Sequence, residues 1–383
     1  MRRVVLSAAA LVCVLGAAKA DPASDAFTAG DFAAAEQAYQ ATLAASPNDV
    51  AALTGLARLK LYEEKRSEAR ELAQRAQHLD PSNAEAKRVL RGANVRDAAF
   101  APDVWRITMP ADGAVDVSLI VTDPLPVVAV TINGAPHLFL IDTGAPDIVL
   151  DSHFANEMGL KPDGAKTGTF AGGAQAAFEH VVLPAMDVGT VHVEQVPASV
   201  LPTRGMSQDR VIDGIIGTGF LMHFLPTLNY AEGILTLRPR SASAAVEASV
   251  TEGQAVPMWL VGDHFLFVRG HIGDGPEALY TIDTGLEAAG VQAKRATLDA
   301  AHVAIDETAV QTGLGGGGMV RFIPFKTSAS IGAVTVNDLN GVYTPDGDQY
   351  ELFQFQVAGT ISHQFFRGKT LTFDFDAMKM IVR

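Results

Sequence analysis

Cysteine is almost absent from the 383 residues: the only one, Cys13, lies in an apolar stretch near the N-terminus. Once that stretch is removed no disulfide can form, whatever the redox state of the compartment. Basic residues are scarce beside acidic ones, 29 Lys and Arg against 43 Asp and Glu, for a formal net charge of −14. A nucleic-acid partner therefore has no electrostatic support and is not expected. Beyond residue 20 no apolar run reaches spanning length, so no membrane span is expected in the mature chain. His137, His180, His192, His223, His264, His271, His302 and His363 show no metal-ligand spacing, and neither metal nor cofactor is expected. The Gly-x-Ser-x-Gly elbow of α/β hydrolases is missing. Gly313, Gly315 and Gly318 have dinucleotide-fingerprint spacing, but Val320 to Phe325 reads as strand where that motif needs a helix.

What is present begins with a basic start at Arg2 and Arg3. The apolar run Val4 to Ala17 and the small-x-small triplet Ala18-Lys19-Ala20 follow. This reads as a secretory signal over residues 1–20, so the expected address is periplasmic or secreted. With Arg2, Arg3 and Lys19 removed, the formal charge falls by three, from −14 to −17. Residues 21–95 are rich in Ala, Glu, Leu and Arg with helical spacing, and Pro47 and Pro81, 34 residues apart, sit at helix junctions. A helix-turn-helix period of 34 resembles the tetratricopeptide repeat, which implies a protein partner for this segment. Residues 96–119 read as a linker.

Beyond the linker the texture turns to β. Val127 to Ile132, Asn133-Gly134 and His137 to Ile141 form a hairpin pattern with a type I′ turn. Leu266 to Ile272, Gly273-Asp274-Gly275 and Leu279 to Ile282 repeat it. Each pattern runs into Asp-Thr-Gly, at Asp142-Thr143-Gly144 and Asp283-Thr284-Gly285. One such triplet arises by chance in roughly one chain in ten of this length; two, each behind an apolar strand, mark a duplication of about 140 residues. Later landmarks also pair. Ile215-Ile216-Gly217 ends 75 residues after Asp142 and Val357-Ala358-Gly359 ends 76 after Asp283.

These residues resemble the pepsin and retroviral protease superfamily over roughly residues 120–383. The resemblance implies a mainly β, bilobal acid-protease fold behind a small α-helical domain, with lobes at 120–245 and 246–383. It also implies Asp142 and Asp283 as catalytic carboxylates, supported by Thr143, Gly144, Thr284 and Gly285. Two carboxyls at hydrogen-bond distance cannot both ionise cheaply, so they hold one proton. One activates water and the other protonates the scissile carbonyl. The expected function is thus an exported aspartic endopeptidase, acting as a monomer on a peptide or protein substrate.

Gly172 and Gly173, about thirty residues after Asp142, and Gly315 and Gly316, about thirty after Asp283, are candidate flap glycines. Ala145 and Leu286 follow the two triplets where pepsin-like enzymes usually carry a hydroxyl. Without that donor the ionised carboxylate is less stabilised, which moves the expected working pH toward neutral. Leu286 leaves open a catalytically silent peptide-binding protein on the same fold. A scaffold that binds partners through the helical repeats is the other reading.

Overall fold

The 34-residue period becomes two pairs of equivalent helices. The computed structural model describes residues 21–101, 103–111, 113–169, 175–204, 210–251, 254–287, 289–315, 318–346 and 349–383. A short α1 (Pro22–Thr28) precedes α2 (Phe32–Ala45), α3 (Val50–Tyr62), α4 (Arg66–Leu79) and α5 (Ala84–Ala99). Asp49 and Asn83, 34 apart, cap α3 and α5 by accepting the backbone N–H groups of Ala52 and Ala86, each at 2.8 Å. Such caps satisfy donors that a helix start leaves free. Small Ala residues at 69, 73, 76, 86 and 93 are buried in the seam between α3, α4 and α5.

The stretch 96–119, read from sequence as a linker, holds more than a connection. It carries the end of α5, strand β1 (Arg106–Thr108) and most of β2 (Val115–Val121). Its polar alternation hides both strands, because β1 lies at a sheet edge and β2 has one solvent-facing side.

From β2 onward the chain builds the same unit twice. The first lobe runs β2, β3 (Val127–Ile132), β4 (Ala135–Ile141), β5 (Ile148–Asp151), α6 (Ser152–Glu157), β6 (Gly164–Thr169) and β7 (Gln175–Val188). It continues through β8 (Val191–Leu201), β9 (Gly214–Ile216), α7 (Thr218–Leu221), β10 (Phe224–Asn229) and β11 (Ile234–Pro239). After α8 (Ser243–Glu247), the second lobe repeats the order. Its strands and helix are β12 (Ala255–Val261), β13 (Phe265–Ile272), β14 (Ala278–Asp283), β15 (Val291–Ala293), α9 (Arg295–Ala300), β16 (Gln311–Gly315) and β17 (Gly318–Ile331). Then come β18 (Val334–Tyr343), β19 (Gly359–Ser362), α10 (His363–Phe366), β20 (Thr370–Asp374) and β21 (Lys379–Val382).

Pairing is equivalent as well as order. β4 lies parallel to β9 as β14 lies parallel to β19, and β5 and β15 pair antiparallel with β9 and β19 in the same register. At the β3–β4 turn Asn133 and Gly134 take φ of 52° and 78°, the left-handed pair a type I′ turn requires.

The lobes share one antiparallel sheet in the order β2-β11-β10-β20-β21-β12. Its midline is the β10–β20 pair, where the Thr227 and Thr372 hydroxyls meet at 2.8 Å. A single apolar core runs through both lobes. A second cluster joins α1, α2 and α3 to the second lobe, with Phe32 edge-on to Trp259 at 5.4 Å and to Phe355 at 4.9 Å. Buried Arg96 of α5 donates to the carbonyls of Leu260, at 3.1 Å, and Gly262, at 2.6 Å, while pairing with Glu64. Among the described residues no helix is long and apolar enough to cross a membrane.

Candidate active site

β4 stops one residue before Asp142 and β14 ends at Asp283, so each apolar strand delivers its aspartate to the interface between the lobes. Asp142 and Asp283 lie there, neither fully buried. The loops behind them interlock. The Thr143 backbone N–H donates to Thr284 Oγ1 at 3.0 Å, and the Thr284 N–H donates to Thr143 Oγ1 at 3.1 Å. Each hydroxyl then donates onward across the interface, Thr143 to the Ile282 carbonyl at 2.9 Å and Thr284 to the Ile141 carbonyl at 2.8 Å. Four buried hydrogen bonds thus tie one lobe's loop to the other's with twofold symmetry. Threonine suits the task because its β-branch restricts χ1.

The glycines leave room for the carboxyl groups. A Cβ on Gly144 would lie 2.8 Å from the Asp283 carboxyl carbon, and one on Gly285 would lie 2.2 Å from that of Asp142. Any side chain at either position would occupy the space of the opposite lobe's carboxyl group. The glycine N–H groups donate to their own aspartates, Gly144 to Asp142 at 2.7 Å and Gly285 to Asp283 at 2.8 Å. The two carboxyl groups face each other across the lobe interface, each lying against the other lobe's glycine. Loss of solvation, then the Asp283 charge, hold the Asp142 carboxyl well above the usual carboxylate range. Desolvation also raises Asp283, against the hydrogen bond from its partner and those from backbone N–H groups. Such a pair retains a proton where isolated carboxyls would have lost theirs.

The second landmark of the duplication needs correction. In the β4–β9 register Ile141 faces Ile216, and in β14–β19 Ile282 faces Ile361. The counterpart of Gly217 is therefore Ser362, and Gly359 matches Gly214. A Cβ on Gly214 would meet the Val149 carbonyl at 2.5 Å, and one on Gly359 would meet the carbonyl of Gln292, the counterpart of Val149, at 2.1 Å. The apparent agreement in spacing arises because the second lobe is longer over this stretch, with extra residues both ahead of β15 and ahead of β19. Close strand packing demands glycine at 214 and 359. At 217 a Cβ would meet the Asp147 and Ala145 carbonyls at 2.4 and 2.5 Å. The second lobe has relaxed there: Ser362 fits and donates to the Leu286 carbonyl at 2.8 Å.

The next position differs too. Thr218 donates its hydroxyl to the Thr143 carbonyl at 3.0 Å, directly supporting the first aspartate's loop. Its counterpart His363 is fully buried, with Nδ1 3.2 Å from the Leu286 carbonyl. Burial, then Arg367, push its pKa down to about 4, so it is neutral at pH 7. Sequence reading gave Thr218, Ser362 and His363 no role at the site, although Thr218 stands directly after the apolar-apolar-Gly run.

The strands that flank the candidate flap glycines pair equivalently, β6 with β7 and β16 with β17. Gly315 pairs with Gly318 at the second tip; Gly172, Gly173 and Gly316 lie outside the described residues. Among the described residues no cluster of His, Cys, Asp or Glu has the grouping of a metal site.

Known proteins place these observations. Residues 128–220 match the aspartyl protease family and residues 26–91 match a tetratricopeptide repeat family. The crystal structure of a retropepsin-like aspartic protease from Rickettsia conorii aligns at 17% identity and a TM-score of 0.24, covering 35% of this chain and 94% of that one. No curated protein matches the chain. The family match takes in Asp142 and stops short of Asp283, which enters through the structural equivalence of the halves. The chain is a two-lobed, mainly β protein that is similar to the aspartyl protease family over residues 128–220 and to a tetratricopeptide repeat family over residues 26–91.

Proposed function

We propose that the protein is an exported aspartic endopeptidase, with Asp142 and Asp283 as an acid–base pair. The reciprocal Thr143–Thr284 bonds carry the reading, because they hold two carboxyls from different lobes against one another. In the singly protonated pair, the ionised member takes a proton from a water held between them. The other donates to the carbonyl oxygen of the peptide bond. The amide carbon passes through a tetrahedral diol, and the amine leaves after protonation. Both side chains return to the shared-proton state, with no covalent enzyme species.

Substrate would lie extended beneath the β6–β7 and β16–β17 hairpins, gaining main-chain hydrogen bonds and excluding water. Ala145 and Leu286 bring no hydroxyl to the carboxylates, and both carboxyls are already raised. Retention of the shared proton thus extends upward in pH, and the expected optimum lies nearer neutral than the acid extreme. A rate profile peaking below about pH 3, under the free carboxyl range, contradicts this.

Export rests on the basic start, the Val4–Ala17 run and the Ala18-Lys19-Ala20 triplet. N-terminal sequencing of the secreted or periplasmic product tests it, with Asp21 expected first. The deciding experiment for the activity is cleavage of a peptide library by the purified chain. Cutting that is abolished in Asp142→Asn and Asp283→Asn supports the hydrolase. Tight peptide binding without cutting favours the silent binding protein, to which Leu286 and Ser362 point.

A further inference from the structure

The helical segment and the second aspartate are linked by a continuous set of contacts through residues 349–357. One end of this stretch is held by the helices. Phe355 sits edge-on to Phe27 at 5.7 Å, and the Gln356 N–H donates to the Thr28 carbonyl at 2.7 Å. Arg58 lies over the Phe27 ring at 3.5 Å and donates to Gln354 Oε1 at 2.8 Å. Gly30, at φ +77°, brings the backbones so close that a Cβ would lie 2.9 Å from the Gln356 carbonyl.

The other end reaches the strands of the site. The Tyr350 hydroxyl lies 2.5 Å from Thr360 Oγ1, which lies 2.7 Å from Thr281 Oγ1, all three buried. Thr281 stands two residues before Asp283 on the same strand, and side chains two apart share a face. Thr360 faces Thr281 in the parallel β14–β19 pair.

The first lobe solves the same problem without polar groups. The register equivalents of Thr281, Thr360 and Gln292 are Leu140, Ile215 and Val149, which pack into an apolar cluster with Ala145. The Thr281 hydroxyl also reaches the Gly359 carbonyl at 3.4 Å, so Tyr350, Thr360 and Thr281 form one buried polar chain that ends on the backbone of β19. The lobe with the polar pair is also the one that the helices grip.

We propose that the helical segment is an intramolecular brace. It clamps residues 349–357 and, through Tyr350, fixes the Thr281–Thr360 pair behind Asp283. Tyr350 is then a positioning residue, and the apolar face of α1, α2 and α3 is engaged by its own chain. The kinetic consequence rests on the hydrolase reading above; the mechanical one does not.

The test compares the full chain with Tyr350→Phe and with Tyr350→Phe/Thr281→Val/Thr360→Val. The readouts are peptide cleavage and amide hydrogen exchange over residues 279–286 and 138–145. Tyr350→Phe is expected to lower kcat about fivefold to tenfold with KM within twofold, the size of one lost buried hydrogen bond. It should speed exchange at 279–286 and leave 138–145 unchanged. The triple variant, which replaces the whole hydroxyl chain by apolar groups as in the first lobe, should recover most of both effects. Wild-type exchange at 279–286 in Tyr350→Phe overturns the brace. A wild-type chain that cuts no peptide, but whose exchange responds as described, overturns the hydrolase reading alone.

Discussion

The two lobes have the same strands in the same order, yet they finish the surroundings of their aspartates differently. The first carries Ala145, Gly217 and Thr218, with an apolar triad at Leu140, Val149 and Ile215. The second carries Leu286, Ser362 and His363, with a hydroxyl-rich set at Thr281, Gln292 and Thr360. The Asp-Thr-Gly triplets keep strict symmetry, as do the closely packed glycines Gly214 and Gly359 behind them. Selection for two carboxyls in contact fixes the loops, because each loop is built from the other's atoms. Everything one shell further out answers only to its own lobe.

If that division holds, the largest effects come from the symmetric parts and should be equal. Asp142→Asn and Asp283→Asn are each expected to reduce cleavage by roughly 10³-fold or more, within the range for acid–base groups. Steady-state rates for both variants check this, and near-normal cutting by either would break the symmetry. Thr143→Val and Thr284→Val should follow as a matched pair. Each removes a hydroxyl that accepts one buried N–H and donates to a carbonyl, at a cost of about 3 kcal/mol. Urea midpoints differing strongly between the two would show that one lobe dominates the interlock.

Both lobes carry one acid-sensitive buried histidine. His363 sits at about 4 when folded, below the ordinary 6.5 of the unfolded chain. Between pH 6.5 and 4 the unfolded chain binds the extra proton, so stability is lost as pH falls through that window, by at most about 3 kcal/mol. His223, also lowered to about 4 by burial and then Arg240, contributes in the same sense from the first lobe. The raised aspartates oppose both, since the folded pair takes up protons first. His363→Thr, which imports the first lobe's residue, should remove about half of the histidine-driven loss. Urea unfolding of wild type and variant at pH 7 and pH 4.5 measures it, and an unchanged difference would remove His363 from the account.

The smallest contrast is at the corrected landmark. Gly217→Ala forces a methyl against two backbone carbonyls and is expected to destabilise by about 2 kcal/mol. Ser362→Ala gives up a single hydrogen bond and should lose about 1 kcal/mol. Equal losses would mean that the second lobe has not relaxed there.

Much of this was legible in the residues. The doubled hairpin and Asp-Thr-Gly pattern placed both carboxyls, and Pro47 and Pro81 marked the helical period. Turn chemistry and apolar alternation are local, so they survive in one dimension. The match of Gly217 to Gly359 failed because spacing alone cannot register a strand across a loop that has changed length. Strands β1 and β2 escaped because their apolar residues alternate with polar ones beside a helical segment; β1 pairs only with the distant β8, and β2 with β11 as well as with its neighbour β3. Tyr350 carries no signal at all in sequence: its importance comes from a hydroxyl contact with Thr360 and from helices some three hundred residues upstream.

The sheet shared through β10 and β20 carries one more implication. Three strands from each half lie side by side there, so the peptide link after Glu247 is not what keeps the halves together. A chain nicked at that link would still present both acids, and halves made as separate polypeptides have a ready template for finding each other. Evolution by fusion of two like subunits would leave this kind of seam.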